Sequence, residues 1–325
     1  MTRLEKEIAL ALRRTFRIGF GVQDKFETNS ENVEYTGQEA SDIIRDGLLA
    51  DKPFAVSRFG HSELRALLTY MHIRENGSNF RKIMDYARGE KVEPWWFDHT
   101  VEHVTHNAGV FPADISVVER FCQLLLKEIP HIDVLGSWLG GEVWVKHLMP
   151  DTKFIMFHDF YHFLHESPWT SALKGKKVLV VHPFASSIEV QFKKKELIFP
   201  GKKSLPDFEL LTMKAVQSIA GNRPGQFKDW FDALDFMKQG IARRDFDIAI
   251  LGCGAYGMPL ATFVKTELKK KSVHLGGNVQ ILFGIKGSRW ENDPQFHHIF
   301  NEHWIKPLPE ETPKGHLTID NNCYW

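Results

Sequence analysis

Residues 246–257, Phe246-Asp247-Ile248-Ala249-Ile250-Leu251-Gly252-Cys253-Gly254-Ala255-Tyr256-Gly257, decide the fold. An apolar run short enough to be a buried strand ends in glycines at Gly-x-Gly-x-x-Gly spacing, and residues 258–270 then read as a helix. Working outward, residues 272–275 predict another strand, and Phe227, Trp230, Phe231, Leu234, Met237 and Ile241 recur at helical spacing upstream. Further upstream, residues 178–181 are a continuous β-branched and leucine run, residues 187–197 read as a helix and residues 208–211 as a short strand. In the first half, Thr36 and Glu39 make a capping-box pattern before Ile43, Ile44 and Leu48. A buried strand follows at 54–59, and a helix starts at Ser62. Residues 75–112 read as an irregular inserted loop, Asp114 caps a helix, and 132–135 is a strand. Alternating strands and helices predict an α/β, Rossmann-like fold: a mostly parallel sheet with helices on both faces, whose ligands bind at the carboxyl ends of the strands. The expected organisation is an N-terminal amphipathic helix and linker at 1–35, a catalytic domain at 36–310 and a tail at 311–325.

Bulk composition narrows the function classes. Lys+Arg and Asp+Glu are both 41, so no global field draws the chain to nucleic acid, and any electrostatic binding is local. Cys122, Cys253 and Cys323 form no Cys-x-x-Cys pair and are too few for a disulfide framework, which points to a reducing cytoplasm. The first twenty residues lack the uninterrupted apolar core of a signal peptide, and no stretch is apolar enough to span a bilayer. Leu4, Ile8, Leu12 and Phe16 at four-residue spacing beside Arg3, Lys6, Arg13, Arg14 and Arg17 predict a basic amphipathic helix. Such a helix packs on its own domain or lies peripherally on the inner face of a membrane through residues 1–20.

Three strand ends carry residues suited to chemistry. At Ser57-Arg58-Phe59-Gly60-His61-Ser62-Glu63, a turn brings a cation, an imidazole and a carboxylate together, enough to hold a diphosphate directly or through a metal; Glu63 equally suits complementing the helix dipole. After 178–181, Ser186 or Ser187 caps a helix whose free N–H groups favour a phosphate, with His182 beside it. A lone histidine at a strand end is more often a packed or solvent-bridging residue than a catalyst. The turn Gly252, Gly254, Tyr256, Gly257 allows close backbone approach to a phosphate or serves only tight helix packing. A nicotinamide site expects an acid at the next strand end. Residues there are Ser272-Val273-His274-Leu275-Gly276-Gly277, which counts against a dehydrogenase. Beyond it, Lys286 and Arg289 can offset diphosphate charge while Trp290 stacks on a sugar or base, or all three form a solvated basic loop.

The run Arg58-Phe59-Gly60-x-x-Glu63 resembles the Arg-Phe-Gly-Asp-Gly-Glu segment of the GT-D-fold glycosyltransferases, whose Asp-x-Glu motif is associated with the metal and sugar-nucleotide site. Residues 168–184, 252–261 and 274–290 also look like a related group among bacterial polysaccharide-assembly proteins. The resemblance covers roughly residues 50–290. It implies transfer of a sugar from a nucleotide diphosphate donor to a glycan or lipid-linked acceptor. His61 replaces the first acid of the motif; a His61/Glu63 metal pair would suit Mn²⁺ better than the oxygen-preferring Mg²⁺. On this reading Glu63 or His182 is the base for the acceptor hydroxyl, or Glu63 holds the metal. Arg58, Ser186, Ser187, Gly252, Gly254, Tyr256, Gly257, His274, Gly276, Gly277, Lys286 and Arg289 bind the sugar nucleotide. The competing expectations are a nucleotide-dependent oxidoreductase or sugar-nucleotide epimerase, and a non-catalytic subunit of a polysaccharide-assembly complex.

Overall fold

The computed structural model describes residues 1–201, 204–319 and 322–325. Strands β1 (Phe54–Ser57), β2 (Val134–Ser137), β3 (Lys153–Met156), β4 (Lys177–His182), β5 (Glu209–Lys214), β6 (Ile248–Leu251) and β7 (Lys271–His274) form a single sheet in the order β3-β2-β1-β7-β6-β4-β5. Every pairing is parallel. Twelve helices accompany the described strands: α1 (Arg3–Phe20), α2 (Gly37–Leu49), α3 (His61–Arg74), α4 (Asn79–Ala87), α5 (Asp98–His106), α6 (Ile115–Glu128), α7 (Ala185–Phe192), α8 (Lys195–Ile198), α9 (Trp230–Ala242), α10 (Gly257–Thr266), α11 (Asn278–Leu282) and α12 (Ser288–Glu291). The Rossmann-like α/β class expected from residues 246–257 is the observed one.

Successive side chains of a strand point to opposite faces, so a sheet covered on both sides needs apolar residues at every position. Strand β4 sends Leu179 and Val181 into one core and Val178 and Val180 into the other; β6 does the same with Ala249 and Leu251 against Ile248 and Ile250. The first core is completed by α3, α6, α9 and α10 through residues such as Leu64, Phe121, Trp230 and Leu260. The second is completed by α2, α7 and α11 through Ile44, Ile188 and Val279, together with Trp169 and Trp325.

Three local expectations are corrected. Residues 75–112 are not an irregular loop but carry α4 and α5. Ser78 caps α4 by accepting the Arg81 N–H at 3.3 Å, and only Val101 and Val104 on α5 are buried apolar residues, too few to show a periodicity. Strand β3 is an additional edge strand, hidden in the sequence because Lys153 and Met156 are exposed at its ends. Thr36 makes no side-chain cap; the carboxylate of Asp159 accepts the Gly37 N–H at 2.7 Å instead, a long-range contact that no local pattern encodes. The 21–35 segment contains a 3₁₀ turn, Lys25–Glu27, that buries Phe26 completely. The segment from 311 packs back on the body through Glu311, Ile319, Cys323 and Trp325, all buried, while residues 320 and 321 lie outside the described residues.

Burial on both faces of β6 predicts that Ile250→Ala lowers the unfolding free energy by about 3 kcal/mol. Val190→Ala on the exposed side of α7 should change it by less than about 0.5 kcal/mol. Urea denaturation of the two variants checks this, and equal costs would contradict the two-sided core.

Candidate active site at the carboxyl ends of the strands

The chain leaves successive neighbouring strands toward opposite faces. After β1 and β6 it passes into α3 and α10 on one side; after β7 and β4 it passes into α11 and α7 on the other. Each divergence opens a crevice beyond the strand ends, where ligands of open α/β sheets bind. The result is a cleft across β1, β7, β6 and β4 with two communicating parts. An inner arm of about 60 Å³ lies between the ends of β4 and β6, beside His182, Gly252 and Cys253. An outer chamber of about 740 Å³ lies beyond β1 and β7, within the size range of small-ligand sites. Arg58, Asn107, Gly254, Gly277 and Tyr324 line both.

Arg58 is the first residue beyond β1. Its guanidinium packs against Gly276, where a Cβ would sit 1.9 Å from Nη2 and displace it; Gly276 also has φ +59°, the left-handed region that favours glycine. One Nη donates to the Phe59 carbonyl at 3.1 Å. Nε is buried with no acceptor, and no carboxylate among the described residues pairs with this charge. Two residues beyond Gly276, Asn278 presents a second such donor. Tyr161 donates to Asn278 Oδ1 at 3.1 Å while receiving Trp290 Nε1–H at 3.2 Å, so the amide is oriented with Nδ2 outward. That nitrogen is buried and has no partner. Donors without acceptors are costly to bury, so a site lined by them is suited to an anionic or carbonyl-rich ligand.

The glycine turn is stapled in place by Ala255 N–H donating to the Ala108 carbonyl at 3.2 Å. Its three glycines have different reasons. Gly254 has φ +58° and faces both parts of the cleft. Gly252 lies in the inner arm, where a Cβ would come within 2.5 Å of His182 and 2.7 Å of the Gly276 carbonyl. Gly257 is needed for packing alone, since a Cβ there would meet His274 Nε2 at 2.1 Å. His274 is therefore beneath the turn rather than in the cleft. Its Nδ1 bonds the Ser57 hydroxyl at 3.0 Å, and burial, aided by Arg58, pushes its pKa well down. Tyr256 reaches the inner arm but is stacked on Trp230 at 4.8 Å and bonded to the Ser218 hydroxyl at 3.1 Å.

Other expected residues are placed differently. His182 accepts the Phe184 N–H on Nδ1 at 3.0 Å, and burial lowers its pKa to about 3. The neutral ring therefore carries its proton on Nε2 and faces the inner arm as a donor, not as a base. The N-terminus of α7 is already filled. Glu311 accepts the Ser186 N–H at 2.8 Å and the Ser187 N–H at 3.2 Å, and the Ser187 hydroxyl donates to it as well. An internal carboxylate thus takes the place expected for a phosphate on Ser186 and Ser187. Lys286 pairs with Glu291 at 3.2 Å and does not line the cleft. Arg289 does line the chamber, its guanidinium 5.0 Å from the Tyr324 ring centroid. Trp290 is buried by its bond to Tyr161 and is not a free stacking surface.

The chamber lining also includes Glu63, at the start of α3, whose carboxylate folds back over Gly60 and has no ion-pair partner among the described residues. His61 is turned away from it: Nε2 lies 3.1 Å from a Glu27 oxygen, and Arg65 pairs with the same carboxylate at 3.1 Å. The nitrogen that would ligate a metal is thereby donated to Glu27. Among the described residues no three His, Cys, Asp or Glu converge as a ligand set. The residues present do not fit Mn²⁺ or Mg²⁺ held by His61 and Glu63.

Two features of the chamber have no signal in the sequence. Trp138 stacks on Phe157 at 5.6 Å and forms an aromatic wall. Beneath it, the Ser30 and Ser137 hydroxyls are 2.6 Å apart, and Ser137 donates to the fully buried Glu142, which also accepts the Trp138 and Leu139 N–H groups at 3.1 Å. Burial raises the Glu142 pKa. The three come from residues 30, 137 and 142, and only the sheet brings Ser30 to the other two. Comparison with family models, curated proteins and solved structures finds no match to the chain.

Because the folded His182 refuses a proton that the unfolded chain accepts between pH 6.5 and about 3, its contribution to stability is complete above pH 6.5 and is lost as pH falls through that window. The slope is about 1.4 kcal/mol per pH unit. Denaturant titrations of His182→Gln between those limits should show a correspondingly flatter pH dependence; an unchanged slope would mean the imidazole is not buried. Glu311→Ala, which strips α7 of its capping carboxylate, should cost about 1–3 kcal/mol in the same assay. No cost would show that the tail is not anchored there.

Proposed function

We propose that the chain is a glycosyltransferase that binds a nucleotide diphosphate sugar across the cleft and passes the sugar to a glycan or lipid-linked acceptor. The observation that carries this reading is Arg58: a guanidinium with a buried, unpartnered Nε–H and no carboxylate partner, held over Gly276 where the two parts of the cleft meet. The resemblance of Arg58-Phe59-Gly60-x-x-Glu63 to the GT-D segment supports it independently.

In this mechanism the diphosphate lies against Arg58 and the backbone of Gly254 and Gly277, with the His182 Nε2–H as a further donor from the inner arm. Preorganised donors of this kind stabilise charge as it develops on the leaving diphosphate, the demanding event in an oxocarbenium-like transition state. The sugar occupies the larger chamber, between the Trp138 and Phe157 wall and Asn278. Glu63, a carboxylate of the chamber lining with no ion-pair partner among the described residues, accepts the acceptor's proton, a role that needs no second titratable partner.

A panel of sugar nucleotides and nicotinamides measured by isothermal titration calorimetry tests the reading. Sugar nucleotides should bind, and Arg58→Gln should weaken them by roughly a hundredfold, the loss of a charged hydrogen bond plus the desolvation left behind. Glu63→Gln should leave that affinity within about threefold while lowering transfer by at least about a hundredfold. Binding of nicotinamides alone, or unchanged transfer by Glu63→Gln, would overturn the assignment.

A further inference from the structure

Helix α1 has two apolar flanks, and the fold uses only one. Ala9 and Arg13 are its buried residues, with Leu12 packed against Ile83, Tyr86 and Trp95; the Arg13 guanidinium bonds the Tyr86 carbonyl and Asp24. At 100° per residue, Ile18, Ala11, Leu4 and Ile8 project from the opposite side as one stripe. Leu4, Ile8 and Ile18 are 66%, 46% and 75% exposed, and Phe20 at the helix end is 74% exposed. Four-residue spacing in the sequence marks Leu4, Ile8, Leu12 and Phe16 as the apolar face, but the structure divides them: Leu12 and Phe16 turn toward the body, and Ile18 joins the outward stripe.

Along one edge of that stripe stand Arg3, Arg14 and Arg17, all exposed. Arg3 has Glu7 at 3.1 Å, while Arg14 and Arg17 meet no carboxylate among the described residues. Phe80, 71% exposed, lies at the start of α4, where the neighbouring Asn79 donates to Glu5 of α1 at 2.9 Å. The arrangement combines an outward apolar stripe with two flanking arginines, Arg14 and Arg17, that no carboxylate among the described residues neutralises, on a helix whose other face is fixed to the domain. The apolar residues alone would suit a second protein surface. The arginine row selects a partner that is apolar within and anionic at its surface.

We infer that α1 docks the protein edge-on to an anionic lipid bilayer, with Leu4, Ile8 and Ile18 entering the headgroup–acyl boundary and Arg14 and Arg17 meeting lipid phosphates. The helix lies in the interface plane; no helix of the described chain is long and apolar enough to cross a membrane.

Cosedimentation of the full chain with large vesicles of phosphatidylcholine containing one-third phosphatidylglycerol tests it, with pure phosphatidylcholine vesicles alongside. The full chain should sediment with the anionic vesicles and at least about tenfold less with the neutral ones. The pair Leu4→Asp and Ile18→Asp, and separately the pair Arg14→Glu and Arg17→Glu, should each reduce binding at least about tenfold. These side chains are exposed, so far-UV circular dichroism and Tm should be unchanged. Failure of the full chain to sediment with anionic vesicles, or binding that survives both pairs of substitutions, would overturn the inference. So would a concentration-dependent dimer abolished by Ile18→Asp in the absence of vesicle binding, which would assign the stripe to a second copy.

Discussion

Everything at the candidate site depends on how the chain leaves the parallel sheet. Crossovers between parallel strands keep one hand, so the direction in which the chain steps along the sheet decides which face it covers. Here β1 and β6 feed one face while β7 and β4 feed the other, and the four strands stand side by side. The backbone must part above each junction. Residues immediately past the strand ends, Arg58, His182, Gly252 and Leu275 to Gly277, are therefore drawn to one cleft although more than 200 positions of sequence separate the first from the last.

Burial then selects among the polar groups gathered there. His182 and His274 are held neutral, one as a donor into the inner arm and one as packing beneath Gly257. Glu311 occupies the α7 terminus, and Glu27 holds both His61 and Arg65. Arg58 is left with its charge unopposed and one N–H unmet, next to an amide oriented by the Trp290–Tyr161 relay. Arg58 and Asn278 thus present unmet donors to a cleft whose lining also holds the Glu63 carboxylate, a polarity suited to the proposed leaving diphosphate and attacking hydroxyl.

Much of this was legible in the sequence, for identifiable reasons. Strands β4 and β6 are continuous apolar runs, because both faces are buried, and each is followed directly by its turn. The edge strand β3 and helix α5 show too few buried apolar residues to produce a period, and α4, which buries Ile83, Tyr86 and Ala87, is only 9 residues long. Arg58, Glu63, Gly254 and Gly277 were accessible as strand-end residues of unusual chemistry. The roles of Ser186 and Ser187 were not, because Glu311 reaches them only through the fold, and Lys286 is taken up by Glu291 five residues on. Nor did the spacing Gly-x-Gly-x-x-Gly reveal that Gly257 answers to His274 instead of to a ligand. The Ser30–Ser137–Glu142 chain exists only once the first segment crosses the end of β2.

Where a nucleoside diphosphate binds is tested most directly by a crystal structure of the full chain grown with one. The diphosphate is expected against the Arg58 guanidinium, between the backbones of Gly254 and Gly277, with the Glu311 carboxylate still on Ser186 and Ser187. A diphosphate at the α7 terminus with Glu311 displaced, or one seated away from Arg58 altogether, would contradict it.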